Sequence, residues 1–211
     1  QSLFESVTGA RMMHNYFRVG GLRLDLPEDF HQRITWLLGE LRKGAEEADR
    51  LLTFSEIFLA RTRDVGTIDA KTAIGFGMSG PNLRASGVPY DVRRAQPYEV
   101  YDRLEFDVPV GDRGDCWDRY YVRIQEMTQS IRIIEQCLDQ MPNGRVLAPK
   151  LPKTLRIDDG ELYMPTEGTK GEYGVYLMAK GGTNAYRAKL RSPSFCNLSP
   201  LRDLVVGSYV A

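Results

Sequence analysis

Cysteine and histidine are scarce in this chain of 211 residues, which has three cysteines and two histidines. Cys116, Cys137 and Cys196 stand far apart and form no CxxC pair. A zinc site or an iron–sulfur cluster held by one chain needs closely spaced cysteine ligands. We therefore predict that no metal and no cofactor is bound by this chain. A sparse, odd number of cysteines is also typical of a reducing compartment.

The sequence has no surplus of charge, because 28 Lys and Arg residues balance 28 Asp and Glu residues. A nucleic-acid-binding face needs excess positive charge, so we predict no nucleic-acid partner. Long hydrophobic runs are missing too, since stretches such as residues 133–134 and 205–206 are far too short to span a bilayer. With 42% hydrophobic and 27% charged residues, the composition is otherwise ordinary for a globular protein.

The common catalytic motifs are also absent from the sequence. Residues 75–80 have the spacing GxGxxG, but no strand rich in Val or Ile precedes them, which disfavours a dinucleotide-binding fold. His31 lies on a predicted helix without a second ligand at helical spacing, and we interpret it as structural. The residues alone therefore assign no catalytic group.

Two long amphipathic helices are predicted within residues 1–142. The first is expected to open at residues 26–29, with Asp25 as its cap and Pro27 in the first turn. The second is expected to follow Asp112 and Asp115 and to end at residues 142–144. Apolar residues recur every three or four positions along both, which predicts one buried face for each. These residues are Phe30, Ile34, Leu37, Leu41, Ala45, Ala48 and Leu52 on the first, and Tyr120, Ile124, Met127, Ile131, Ile134, Leu138 and Met141 on the second.

The predicted fold class is α+β, a helical bundle with a small antiparallel β-sheet. Residues 1–142 form the bundle and include a glycine-rich loop at 75–90, where glycine allows a close backbone approach. Residues 143–160 are a linker, and 161–195 are an antiparallel hairpin or sheet with a turn at 180–184. Residues 196–211 begin a further helix, capped by Ser199.

Two polar segments are candidates for function. Residues 11–21 combine His14, Tyr16 and two arginines, Arg11 and Arg18. This pattern fits a helix end whose cations complement the helix dipole, and it equally fits a shell of residues around a redox centre. Residues 167–172 are either a charged turn or a loop that presents Lys170 to a neighbouring protein.

Four stretches, taken in order, carry a resemblance to a known family: residues 8–21, 83–93, 106–123 and 167–177. Together they resemble the hydrogenase-like 49 kDa subunit (the D subunit) of complex I, NADH-quinone oxidoreductase, and its chloroplast and cyanobacterial relatives. The resemblance implies a fold similar to the large subunit of nickel–iron hydrogenases. In this family the cysteine pairs that held the metal are lost, and the emptied cavity is part of the quinone chamber. Residues 167–171 resemble the Glu-Ala-Pro-Arg-Gly loop that faces the metal in those hydrogenases.

The resemblance implies a catalytic-core subunit of a proton-pumping NAD(P)H-quinone oxidoreductase, an enzyme only as part of the complex. Its partners would be other complex I subunits, above all the one that carries the terminal 4Fe-4S cluster, and its substrate quinone. The chain would lie in the peripheral membrane arm, on the cytoplasmic, matrix or stromal side. The alternative is a non-catalytic scaffold that docks the cluster-bearing subunit. The residues implied around the quinone and the cluster are Arg11, Met13, His14, Arg18, Arg84 and Lys170.

Three departures from the family pattern limit this transfer. The family's quinone head-group ligands, a His and a Tyr, would lie before residue 1. Many relatives have a His at the position of Met13 and Ala at that of His14, although chloroplast-type relatives also read Met-Met-His. The family usually has several helical turns where only residues 145–160 link the second long helix to the sheet. Both chain ends look like cuts through an element, so we expect a piece of a longer protein.

Overall fold

A computed structural model describes residues 1–208, which form a mixed structure of helices and antiparallel strands, in agreement with the α+β prediction. The helices are α1 (Ser2–Thr8), α2 (Phe30–Ala48), α3 (Glu56–Thr62), α4 (Ala70–Gly75), α5 (Pro81–Ala85), α6 (Val92–Ala95), α7 (Cys116–Asp139), α8 (Pro193–Leu198) and α9 (Leu201–Val205). The strands are β1 (Phe17–Arg18), β2 (Gly21–Leu22), β3 (Gly160–Gly168), β4 (Gly171–Ala179) and β5 (Arg187–Arg191). None of the helices within residues 1–208 is long and apolar enough to cross a membrane.

The long helix α7 is the central element, and of the two candidates for its cap, Asp112 and Asp115, the structure uses Asp115. The Asp115 carboxylate accepts the amide of Asp118 at 2.8 Å, which satisfies one of the free amides at the helix start. The predicted buried face is confirmed at Ile124 and Ile131, whereas Met127 is 48% exposed. Met141 belongs to the predicted face too, but the helix ends at Asp139.

The opposite side of α7 is also buried, which the predicted single stripe does not include. Ile133 packs there against Leu104 and Phe106, which belong to an extended segment. Two glutamine side chains of α7 hold this segment, because Gln136 accepts the amide of Glu105 and Gln129 accepts the amide of Asp107. These contacts replace the hydrogen bonds that an isolated extended segment would lack.

Helix α2 begins later than predicted, at Phe30. Asp25 is not its cap, since the Asp25 carboxylate accepts the amide of Leu26. Pro27 also lies outside the helix, and its carbonyl accepts the amide of Phe30 in a turn that precedes it. The local turn before Phe30 therefore forms in place of the predicted helix start with Asp25 as its cap.

The buried face of α2 is shorter than the predicted stripe. Ile34 and Leu38 pack against Ile131 of α7, whereas Leu41 and Leu52 are 48% and 44% exposed. After Ala48 the chain continues as a π-helical turn, Asp49–Thr53. The wider turn shifts the following side chains out of the 3.6-residue register, which explains why the prediction fails at Leu52.

The glycine-rich segment is only partly a loop, because residues 81–85 form α5. Pro81 occupies the first turn, where its fixed φ and missing amide proton are tolerated. Leu83 of α5 packs with Ile68, Ala73 and Met78 in a second apolar core.

The predicted antiparallel sheet is confirmed, with the strand order β3-β4-β5. Only Thr169 and Lys170 connect β3 to β4, and Glu167 lies directly opposite Glu172 across the pair. The prediction for Ser199 is wrong, because its hydroxyl donates to the Phe195 carbonyl and the chain there forms two short helices, α8 and α9. Residues 209–211 of the predicted last helix lie outside the described residues.

A small hairpin, β1–β2, occupies residues 17–22, where the sequence predicts a turn and loop after a helix end. The linker runs beside it, since Leu22 donates to the Val146 carbonyl and Ala148 donates to the Gly20 carbonyl. The division into the segments 1–142, 143–160, 161–195 and 196–211 stays a prediction, although the boundaries of their elements are now known.

Candidate functional site

Arg84 of α5 is a buried guanidinium whose side chain is 1% exposed. Its Nε donates to Glu126 of α7 at 2.9 Å, and Nη2 contacts the same carboxylate oxygen. Nη1 donates to Glu167 of β3 at 3.1 Å and to the Tyr90 carbonyl at 2.9 Å. One side chain therefore ties together three segments that are distant in sequence.

A second arginine completes this group of charges. Asp91 lies 3.7 Å from Arg84 Nη1 and accepts two hydrogen bonds from the Arg93 side chain, at 2.7 and 3.0 Å. Burial opposes ionisation of Asp91, but the hydrogen bonds and charge of Arg93, with the charge of Arg84, outweigh it and hold the pKa of Asp91 below its usual range. We call Arg84, Asp91, Arg93, Glu126 and Glu167 the Arg84 cluster.

The pKa of Glu167 shifts in the opposite direction from that of Asp91. Its side chain is 5% exposed, and burial raises its pKa, even though Arg84 favours the charged form. Its backbone amide donates to the Tyr98 hydroxyl at 3.0 Å, which fixes the end of β3.

Glu172, opposite Glu167, binds two phenols. The Tyr90 hydroxyl donates to one carboxylate oxygen at 2.8 Å, and the Tyr163 hydroxyl donates to the other at 2.6 Å. Burial and these hydrogen bonds raise the pKa of Tyr90 and of Tyr163 to about 12. The neutral phenols are therefore held as donors to Glu172.

The β3–β4 turn is held against the glycine-rich segment by direct backbone contact. A Cβ atom at Gly80 would lie 2.3 Å from the Gly171 Cα atom, so neither position has room for a side chain. Arg191 of β5 donates to the Gly77 carbonyl at 2.7 Å, and Asn197 of α8 donates to the Lys170 carbonyl at 2.8 Å. The turn is thereby fixed from two sides.

A cavity of about 360 Å³ opens between the turn, the Arg84 cluster and α7. The residues that line it are Arg84, Arg93, Arg123, Glu126, Met127, Ser130, Glu167, Gly168, Thr169 and Lys170. Within residues 1–208 the Lys170 ammonium group makes no ion pair, and Arg123 donates only to the Asn82 side chain and the Arg119 carbonyl. Burial and two neighbouring arginines lower the pKa of Arg123. The cavity is therefore lined by more positive than negative groups.

The other predicted site residues lie elsewhere, in the N-terminal segment. Arg11 pairs with Glu5 at 2.9 Å on the surface, Met13 is 93% exposed with a φ of 52°, and Arg18 is exposed on β1. No hydrogen bond or ion pair in the described part of the chain joins them to the Arg84 cluster. The structure thus brings Arg84 and Lys170 together at the cavity. The four N-terminal residues, Arg11, Met13, His14 and Arg18, lie elsewhere.

His14 belongs to that N-terminal set and contacts the preceding helix α1. Its Nδ1 lies 3.1 Å from the Thr8 hydroxyl, and its ring centre lies 5.1 Å from that of Phe4. These contacts favour the helix-end interpretation, and a role beside a redox centre stays a prediction.

The sequence profile of one family matches the chain throughout. The family is described as the respiratory-chain NADH dehydrogenase, 49 Kd subunit, and it matches residues 1–157 and 150–211. The chain belongs to this family.

Similar proteins of the same kind are found in several bacteria. The D subunit of NADH-quinone oxidoreductase from Carboxydothermus hydrogenoformans is 44% identical over 209 residues, which covers 99% of this chain and 57% of that protein. One of the D subunits of a Roseiflexus species is 46% identical over 216 residues, with 99% and 58% covered. The D subunit of Chlorobaculum tepidum is 46% identical over 220 residues, with 99% and 54% covered. The chain thus spans little more than half the length of these relatives.

The 49 Kd subunit family gives the geometry a context. Two of the stretches that carry the resemblance, residues 83–93 and 167–177, form most of the Arg84 cluster and the β3–β4 turn. No three His, Cys, Asp or Glu side chains within residues 1–208 are placed to hold a metal ion. That the chain binds no cofactor stays a prediction, as does the hydrogenase-like fold.

Proposed function

We propose that this chain is a catalytic-core subunit of a proton-pumping NAD(P)H-quinone oxidoreductase, and that its cavity beside the Arg84 cluster forms part of the wall of the quinone chamber. The observation that carries the proposal is the meeting of residues 83–93 and 167–177 around this cavity. Both stretches resemble the 49 Kd subunit family, and they provide Arg84 and Lys170. The terminal 4Fe-4S cluster would lie on a neighbouring subunit in the peripheral arm.

The residues of the cavity suit a molecule that gains negative charge. Reduction of a quinone places charge on its oxygen atoms, and fixed cations near those atoms stabilise it. The hydrogen bond from the Asn197 side chain to the Lys170 carbonyl holds Lys170 at the cavity. The Lys170 ammonium group forms no ion pair with any carboxylate within residues 1–208. The volume of about 360 Å³ falls within the range of small-molecule sites.

Replacing Lys170 by Met in the assembled enzyme tests this function. We expect quinone reduction to fall by roughly 100-fold, the effect of removing one group that stabilises developing charge. Reduction of an artificial acceptor upstream of the quinone should stay normal, because the electron path to the clusters is intact. Lys71→Met is the matched control, since Lys71 is an exposed residue of α4 that does not line the cavity. A normal quinone rate for Lys170→Met contradicts the proposal.

The scaffold alternative is favoured by the large surface of the chain. A compact protein of this mass exposes about 9,900 Å², whereas this chain of 23.9 kDa exposes 14,635 Å². A pure scaffold needs its surface but not Lys170. If Lys170→Met, and substitutions of the other cavity residues, leave quinone reduction unchanged while surface substitutions impair assembly, the scaffold function is the correct one.

A further inference from the structure

The ion-paired charges of the Arg84 cluster do not balance. Two guanidinium groups, those of Arg84 and Arg93, pair with three carboxylates, those of Asp91, Glu126 and Glu167. The side chains of Arg84 and Asp91 are 1% exposed, and that of Glu167 is 5% exposed. Arg123 and Lys170 line the same cavity but form no ion pair with these carboxylates within residues 1–208. A buried carboxylate that lacks a cation of its own is unfavourable, and this is commonly relieved when the acid binds a proton.

Of the two acids in this cluster whose side chains are at most 5% exposed, Glu167 has fewer donors to its oxygen atoms than Asp91. Asp91 accepts the Arg93 side chain on both oxygens, and Glu126 accepts two donors from Arg84 and is partly exposed. Glu167 Oε1 accepts Arg84 Nη1 at 3.1 Å, but Oε2 has only a long contact of 3.4 Å from the Val92 amide. Among the oxygen atoms of the two buried acids, Glu167 Oε2 is therefore the one best placed to carry a proton.

The charged and titratable groups around Glu167 come from every element packed against it. They are Arg84 on α5, Asp91 and Arg93 at α6, and Tyr98 in the segment that follows α6. Arg123 and Glu126 lie on α7, and Lys170 and Glu172 lie on the hairpin of Glu167 itself. Arg84 favours the charged form of Glu167, whereas burial and Asp91 raise its pKa, and the net direction is upward. Glu167 thus keeps its proton to a higher pH than an exposed glutamate does.

We propose that Glu167 is a proton donor on the wall of the cavity and that it protonates quinone as the quinone is reduced there. The inference rests on the proposed function, and it assigns to Glu167 a role distinct from that of Lys170. Glu167 lines the same cavity as Lys170, three residues along the β3–β4 turn. The fixed turn holds both side chains against the same molecule.

The proton step balances with the electrons that the neighbouring iron–sulfur centre supplies. A quinone takes up two electrons, one at a time, and two protons. The O–H bond at Glu167 Oε2 breaks, and an O–H bond forms at one quinone oxygen. The second proton comes from solvent, and the Glu167 carboxylate takes a proton back from solvent after the quinol leaves.

The pH dependence of quinone reduction in the assembled enzyme tests this role. The protonated fraction of Glu167 falls as the pH rises through its pKa, so the wild-type rate should fall on the alkaline side. Glu167→Gln cannot donate, and we expect a rate roughly 100-fold lower without this alkaline limb. Glu135→Gln is the matched control, because it removes a carboxylate of α7 that pairs with Arg42 on the surface and does not line the cavity, so it should keep both the rate and the limb. Reduction of an artificial acceptor upstream reports assembly for each variant.

Glu167→Asp is the second variant, and it tests the proton-donor role of Glu167 if Glu167→Gln does not assemble. Aspartate keeps an ionisable acid whose intrinsic pKa is about 0.4 lower, so the alkaline limb should move to lower pH. An unmoved limb in Glu167→Asp, or a wild-type rate and limb in Glu167→Gln, overturns the proton role. If Lys170→Met still slows quinone reduction in that case, the proposed function stands without it. If neither Glu167→Gln nor Lys170→Met changes quinone reduction, both proposals fail.

Discussion

Arg84 is held in place by geometry rather than by net charge attraction alone. Moving a guanidinium out of water costs several kcal/mol, and its pairing recovers this only with good hydrogen-bond geometry. Here Nε and Nη2 both reach Glu126, while Nη1 reaches Glu167 and the Tyr90 carbonyl. The planar, fork-shaped group suits this set of acceptors, and a lysine ammonium does not.

Arg84→Gln should destabilise the chain by about 3–5 kcal/mol, because it leaves buried carboxylates without their partner. Thermal or denaturant unfolding of the purified protein measures this loss. Arg61→Gln is the control, since Arg61 is exposed on α3 and forms no ion pair within residues 1–208, and its effect should stay within about 0.5 kcal/mol. The Arg84→Gln loss should shrink at acid pH, where the carboxylates become protonated. Equal effects of the two substitutions contradict this account.

The raised pKa of Tyr90 predicts that the folded chain loses stability at alkaline pH. Its pKa is about 12 in the folded chain against the ordinary value of 10.0, so the folded state binds the phenol proton more strongly than the unfolded state. The stability from burial of the neutral phenol and from its bond to Glu172 is fully present below pH 10 and is lost as the pH rises from 10 towards about 12. Tyr90→Phe should be less stable below pH 10 and should lose less stability above it.

Unfolding free energies measured across this pH range test the Tyr90 prediction. Tyr173→Phe serves as the control, because the Tyr173 hydroxyl makes no hydrogen bond in the described part of the chain and Tyr173 lies on the same strand as Glu172. A Tyr90→Phe profile parallel to the wild-type profile shows that ionisation of Tyr90 does not cause the alkaline loss of stability.

The sequence indicates Arg84 and Lys170 but not the acids that surround them. Glycine density and the family resemblance single out the loops that carry these two cations. Glu126, in contrast, has the same sequence context on α7 as Glu135, which pairs with Arg42 on the surface. Only the packing of α5 against α7 distinguishes the two glutamates, and no local pattern encodes that packing.

At the scale of elements, the contact between the glycine-rich segment and the β3–β4 turn positions the cavity. Gly80 and Gly171 have φ values of 66° and 122°, and each would place a Cβ atom against backbone of the other segment. Glycine is therefore needed at both positions for two reasons, conformation and space.

Gly80→Ala should push the turn away from the segment and lower quinone reduction in the assembled enzyme. Gly77→Ala separates the two causes, because Gly77 has a similar φ of 67° but nothing within 4 Å of its Cβ position. Gly77→Ala should show only the conformational strain of about 1 kcal/mol, whereas Gly80→Ala should also increase protease cleavage at residues 167–172. Equal cleavage of both variants rules out the contact as the cause.

Elements that a few adjacent residues determine are predicted correctly from the sequence. Elements that depend on packing against other segments are not. The cap at Asp115 and the alternating strands of the sheet are encoded in a few adjacent residues, and both are confirmed. The start of α2, the π-helical turn at Asp49–Thr53 and the helix within the glycine-rich loop depend on competing local turns and on tertiary packing. Periodicity alone does not resolve that competition.

At the scale of the whole molecule, much apolar surface is exposed. On one face of the sheet, Leu162 aligns with Leu177 and Met164 aligns with Val175 and Leu190. Leu162 and Leu190 are more than 60% exposed. Exposed apolar patches of this kind mark interaction surfaces, which agrees with the prediction that the chain works within an assembly.

Substitution of Arg18 tests whether this part of the chain faces the cluster-bearing subunit. Arg18 is exposed on β1 and makes no ion pair within residues 1–208, so Arg18→Gln should change the stability of the isolated chain by at most about 0.5 kcal/mol. In the complex we expect it to pair with an acidic or carbonyl partner on the cluster-bearing subunit, and losing a buried charge partner costs about 2–5 kcal/mol. Arg50→Gln, an exposed arginine of the π-helical turn, is the control. Association should therefore weaken for Arg18→Gln alone, measured by the fraction of each variant that enters the complex. Normal assembly with a normal quinone rate shows that Arg18 does not face this subunit.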